Sequence, residues 1–193
     1  MTGINWTEHV LDLASRAQYA TGWEAPWSAE CDPGDVAPRV MPALCGLAQR
    51  IGFSVRLSDD LPQDVLGHTL SSLRSREGLI EIRAGMSPAS TARVTGHELG
   101  HALHHHNTSL HELRNQAVVA SIVGPSMQEE AACELGTGAF CRAMGIGTGQ
   151  FLLRYMGQHL GRQRVRTSAI HEGAALAEAL WAATHEHALA GLR

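Results

Sequence analysis

An α+β fold, with a small antiparallel sheet packed against several helices, is what this sequence predicts, and three observations predict it. Two helix-patterned segments open the chain, short alternating segments occupy residues 53–84, and the remainder returns to helical patterning. The chain has 193 residues and 44% hydrophobic content, which suits one domain with a buried core and argues against disorder. We therefore expect a single domain over 1–193, with N-terminal helices in 1–52, a small sheet in 53–84 and the chemistry on helices in 87–193.

Each element has a local reason. "NWTEHVLDLASRAQYA" places Val10, Leu11 and Ala14 at helical spacing, with Thr7 as the expected N-cap. Residues 21–38 hold three prolines and two glycines and read as a loop. "RVMPALCGLAQRIG" reads as a second helix ending at Gly52. "FSVRLS" alternates as a strand does, and "GHTLSSLRSREGLIEIRAG" reads as a hairpin with strands near His68–Leu73 and Leu79–Ala84. Ser87 is a good N-cap and Pro88 suits the first helical position, so a helix is expected from there to about His106. "LHELRNQAVVASIVG" has room for a short helix. Ser126 is the expected cap of a helix through "QEEAACELGTGAFCRAM"; "GTGQFLLRYMGQHLG" and "RTSAIHEGAALAEALWAATHEHALAGL" give two more.

Composition narrows the function. No stretch of 18 apolar residues is free of charge, so no membrane span is expected. Glu8 and Asp12 interrupt what a signal peptide would keep apolar, and the expected location is cytoplasmic. Cys31, Cys45, Cys133 and Cys141 form no C-x-x-C pair and are expected to be small buried apolar residues. All 15 basic residues are arginine, a bias that fits a GC-rich genome. Net charge is −4, and the first ninety residues carry seven arginines against eleven acids, which does not describe a nucleic-acid clamp. The local basic cluster of Arg154, Arg162, Arg164 and Arg166 reads as a solvated helix end and loop.

The chemistry sits in "VTGHELGHALHHH". His97, Glu98 and His101 form H-E-x-x-H, and on a helix positions i and i+4 share a face, so both imidazoles can reach one metal ion. Glu98 points beside that face and is the expected general base, taking a proton from water and delivering it to a leaving group. Gly96, Gly100 and Ala102 allow close packing around the motif. His104 and Asn107 stand where a metzincin would have glycine and histidine, which excludes that class. His104, His105, His106 and His111 read as solvated imidazoles near the negative helix end.

A catalytic zinc needs a third protein ligand, and "QEEAACELG" offers it. Glu130 and Glu134 are i and i+4; one is expected on the metal and the other behind a histidine. Glu129 reads as a capping or solvated residue of the first turn.

"HELGHALHHH" followed by "EEAACELGTGAFCRAMGI" resembles the zincin-like metallopeptidase domain of ArdC-type antirestriction and polyvalent proteins, and more distantly the ImmA/IrrE group. The resemblance covers roughly residues 78–185. It implies a zincin-like fold with the motif on the central helix, His97 and His101 as zinc ligands and Glu98 as base. For the third ligand it points to Glu130 by gluzincin spacing and to Glu134 by the ImmA/IrrE alignment, with Glu130 favoured. A tyrosine common in the family corresponds here to Phe151, so Tyr155 is the expected transition-state donor, with His159 and His171 as other candidates. The acidic residues 1–77 depart from the single-strand DNA-binding domain that ArdC proteins carry at that end.

The expected function is a zinc-dependent, gluzincin-like peptidase acting on a protein or peptide substrate, in phage or plasmid defence or counter-defence. Its substrate strand is expected to add at the sheet edge "GLIEIRA". The alternative is a non-proteolytic regulatory protein with a vestigial site, and a third reading is a nucleic-acid module using the arginine cluster.

Overall fold

The computed structural model describes residues 3–19, 36–72, 77–108, 126–146 and 165–190. The order is α1 (Trp6–Tyr19), α2 (Ala37–Arg50), β1 (Phe53–Ser58), β2 (Gly67–Ser71), β3 (Gly78–Arg83), α3 (Pro88–Asn107), α4 (Met127–Ala143) and α5 (Thr167–Ala190). The architecture is α+β, as the patterning indicates. Most of the expected 21–38 loop, Cys31, the hairpin turn, residues 110–124 with His111, and the segment 147–161 lie outside the described residues. So do Phe151, Arg154, Tyr155, His159, Arg162 and Arg164.

The sheet is mixed rather than antiparallel. Its strand order is β1-β3-β2, with β2 antiparallel to β3 and β1 parallel to it. Ile80 and Ile82 of β3 are fully buried, and this most apolar strand takes the centre, where both of its edges are hydrogen-bonded. Residues 59–66 therefore cross the end of β3 to reach β2. Arg83 holds that crossing: its guanidinium donates to the carbonyls of Leu61 (3.3 Å), Pro62 and Val65 (2.7 Å). On the outer face, one row joins the three strands. Glu81 accepts from Arg56 of β1 (Nε, 3.0 Å) and lies 2.7 Å from His68 Nε2 of β2, and these residues are paired in register.

Helix ends follow local chemistry with two departures. Ser87 accepts from the Ser90 amide (3.2 Å), the expected cap of α3. Asn5, not Thr7, caps α1, its side chain accepting from the Glu8 amide (3.3 Å), because the helix starts two residues earlier than expected. The Ser126 side chain makes no capping bond to α4. Gly52 follows α2 with φ 85°, a left-handed conformation suited to glycine, and turns the chain into β1.

The helices close over the inner sheet face, α3 against β2 and β3, α2 against β1, and α5 along α1 and α4. At the α4–α5 contact, Gly136 faces the main chain of α5: a Cβ here would collide with the Gly173 carbonyl and sit 3.0 Å from Leu176 Cβ. Gly46 of α2 has nothing within 4 Å of such an atom. The same substitution thus has opposite signs at the two sites. Gly136→Ala is expected to destabilise by about 1–3 kcal/mol through overpacking, and Gly46→Ala to stabilise by about 0.5–1 kcal/mol through helix propensity. Urea midpoints test this; equal shifts at both positions would contradict the packing described.

Candidate metal centre

α3 and α4 form the site by lying close together. Gly100 of α3 makes that approach possible, since a Cβ there would stand 2.6 Å from Cys133 Sγ of α4. α3 is buried along most of its length, including Arg93, His97 and Glu98, and α4 is buried from Ala131 to Cys141. Polar groups in such a place need partners, and Arg93, His97 and Glu98 have them.

The imidazoles of His97 and His101 are 5.1 Å apart, edge to face. One oxygen of Glu130 lies 3.4 Å from His97 Nε2 and the other 3.3 Å from His101 Nε2. The three candidate ligand atoms lie within 4.8 Å of one another, and among the described residues this is the group that can hold a metal ion. The opposite ring nitrogens are held separately. His97 Nδ1 lies 3.0 Å from Glu134 Oε2, and His101 Nδ1 lies 2.8 Å from Glu129 Oε1. A ring whose Nδ1–H donates to a carboxylate keeps its Nε2 lone pair for a metal.

This places the expected residues. His97, His101 and Glu130 come together, and Glu134 stands behind His97. Glu129 is not the solvated residue expected; it fixes His101. Arg93, not singled out in the sequence, pairs with the other oxygen of Glu134, both side chains being almost wholly buried. The signal for it is an arginine four residues before His97, on the same face of a buried helix. Glu98 is 7% exposed, and Thr69 Oγ1 of β2 lies 2.9 Å from both its carboxylate and its main-chain carbonyl, the hydroxyl hydrogen being shared between them. Cys133 and Cys141 are buried as expected, whereas Cys45 is partly exposed, and Cys133 Sγ comes 3.8 Å from His101 Nδ1. His105 departs from the solvated reading: it is 5% exposed and packs edge-on against Phe53, their ring centroids 5.8 Å apart. His171 and Arg166 are exposed.

The electrostatics without a metal are those of a proton-loaded cation site. Burial alone would lower the pKa of His97, but Glu130 and Glu134 outweigh it and push it up to about 10. Burial likewise opposes protonation of His101, and Cys133, Glu129 and Glu130 hold its pKa well above the usual value. Burial would raise the carboxyl pKa of Glu130, but the two histidines hold it far below the ordinary range. Burial would raise that of Glu134, and Arg93 with His97 lowers it. Two imidazolium protons thus occupy the place of one divalent charge.

The pH dependence of the metal-free protein follows. A pKa raised on folding contributes stability that is complete below the unfolded value, 6.5 for His97, and is lost as pH rises through about 10. The lowered carboxyl groups contribute above their unfolded value of 4.5, and that contribution is lost as pH falls through their folded values. The thermal midpoint of the metal-free protein is expected to be highest between about pH 5 and 6.5 and to fall steadily towards pH 10; a midpoint rising over that alkaline interval would contradict the assignment. Arg93→Ala leaves Glu134 buried against a missing partner and is expected to cost about 3–5 kcal/mol, read from denaturant unfolding; a cost under about 1 kcal/mol would mean the pair does not hold the two helices together. Comparison of the chain with protein-family models, with curated proteins and with solved structures finds no match.

Proposed function

We propose that the protein is a zinc-dependent metallopeptidase with a zincin-like, gluzincin-type site, His97, His101 and Glu130 being the ligands and Glu98 the general base. The observation that carries this reading is the sidedness of the two imidazoles. Each Nδ1 faces its own carboxylate, Glu134 or Glu129, while both Nε2 atoms face Glu130. Two nitrogen donors and a carboxylate are the donor set of a catalytic zinc that keeps a position open. The buried Cys133 thiol stands on the Nδ1 side of His101, apart from this set.

A zinc ion held there supplies Lewis acidity towards a water molecule and a peptide carbonyl. The chain's own residues do the rest. Glu134 and Glu129 fix the planes and tautomers of the two histidines, and Arg93 keeps Glu134 ionised. Glu98 follows His97 on α3, and the Thr69 hydroxyl orients its carboxylate for proton transfer. Thr69 belongs to β2, so the sheet reaches the reacting region through this strand.

The substrate strand therefore adds at β2, not at "GLIEIRA" as the sequence suggests, because that segment is β3 and both its edges are already bonded. The outer edge of β2 has no strand partner among the described residues, and an extended peptide laid along it passes beside Thr69 and Glu98. The substrate is accordingly a peptide segment in extended conformation. The resemblance of the motif helices to ArdC-type antirestriction proteins supports a substrate among proteins of phage or plasmid defence and counter-defence.

Metal uptake and catalysis are tested separately. The purified protein is expected to bind one zinc per chain and to release up to two protons per zinc at pH 7, seen as a buffer-dependent enthalpy in calorimetry; no stoichiometric zinc would end this reading. Glu98→Gln is expected to retain zinc and stability while peptide hydrolysis falls about 10²–10⁴-fold. Full activity in that variant would remove Glu98 from its role.

A further inference from the structure

On the Nδ1 side of His101, α3, α4 and α5 leave a cavity of about 260 Å³. Cys133, 3% exposed, and Glu172, exposed on α5, both line it. Leu103 and Leu176 give it apolar walls. Two carboxylates line it, Glu129 and Glu172, together with one imidazole, His104, and among the described lining residues there is no arginine. A cavity of about 150 Å³ already accepts a benzene-sized guest, so this one has room for a small organic molecule.

The chemistry of the wall selects the guest. Apolar sides take a short hydrocarbon stem, and carboxylates attract a positive end rather than a negative or neutral one. Glu129 faces two ways: it lines the cavity, and its Oε1 lies 2.8 Å from His101 Nδ1.

We propose that this cavity binds a small organic cation, a primary ammonium on a short apolar stem, and that the bound cation competes with His101 for Glu129. Occupation of the cavity then loosens a ligand of the metal centre from behind, without touching the ligand atoms. The binding step stands on the cavity alone; the coupling rests on the metal reading proposed above. Loss of such an outer partner weakens a metal site about 10–100-fold.

The test uses n-butylammonium, with n-butanol as the neutral probe of the same stem, titrated into the full chain and followed by NMR. In the metal-free protein, butylammonium is expected to saturate at millimolar concentration and to bind at least about tenfold tighter than butanol, as for a partly desolvated charge pair. Ala175→Phe, at an exposed position of the cavity wall, is expected to abolish binding. Glu172→Gln, a surface change that leaves the packing intact, is expected to lower the preference for the cation about three- to fivefold. Chelator competition is then expected to show zinc affinity about tenfold lower with butylammonium bound, and unchanged by it in Ala175→Phe. No saturable binding, equal binding of butanol, or binding that survives Ala175→Phe overturns the cavity site. Zinc affinity indifferent to the bound cation overturns the coupling. A protein that takes up no zinc without any cation overturns the metal reading instead, and the NMR titration still decides the cavity.

Discussion

Glu134 is 1% exposed, and its two oxygens face Arg93 on one side and His97 on the other. A carboxylate taken that far from water is tolerable only while ionic partners surround it. Those partners sit on α3 and the carboxylate on α4, so the relative rotation and axial position of the two helices are fixed together. Once they are fixed, Glu130, one turn before Glu134, falls opposite the Nε2 atoms, and Glu129 falls against His101. The grouping of His97, His101 and Glu130 is thus a consequence of one buried ionic contact between two helices.

That contact needs short interhelical distances, and small residues supply them. Gly100 lets Cys133 approach α3, and Gly136 lets the main chain of α5 approach α4. A larger side chain at Gly100 would separate α3 from α4, which carry the candidate ligands, and one at Gly136 would separate α4 from α5. The sheet contributes from the other side. β3, buried and central, leads directly into α3, while β2 delivers Thr69 to Glu98. The carboxylates that hold the two imidazoles lie on α4 and the hydroxyl that holds Glu98 lies on β2, so these side chains answer to different structural elements.

Much of this was legible in the sequence because it depends on local spacing. The Ser87–Pro88 start of α3, the alternation in "FSVRLS" and "GLIEIR", and the i, i+4 pairs His97/His101 and Glu130/Glu134 are all properties of neighbours along the chain. What was not legible depends on distant residues. The parallel pairing of β1 follows from the crossing over the end of β3 that Arg83 secures. Glu129 and Glu130 are adjacent, and only the rotation of α4 against α3 decides that one serves Nδ1 and the other Nε2. Arg93 is read as structural once Glu134 is opposite it. His105 is drawn inward by Phe53, a contact between α3 and β1 that no helix-end rule contains.

The central claim is that the protein offers a metal two imidazole nitrogens and a carboxylate, while Cys133, though close, stays behind His101. X-ray absorption at the zinc edge of the zinc-loaded protein tests this most directly. The account predicts a first shell of nitrogen and oxygen only, at about 2.0–2.1 Å, with outer-shell scattering from two imidazoles, and loss of one imidazole contribution in His101→Ala. A sulfur shell at about 2.3 Å would put Cys133 on the metal, and with it the arrangement of carboxylates and histidines described here would be contradicted.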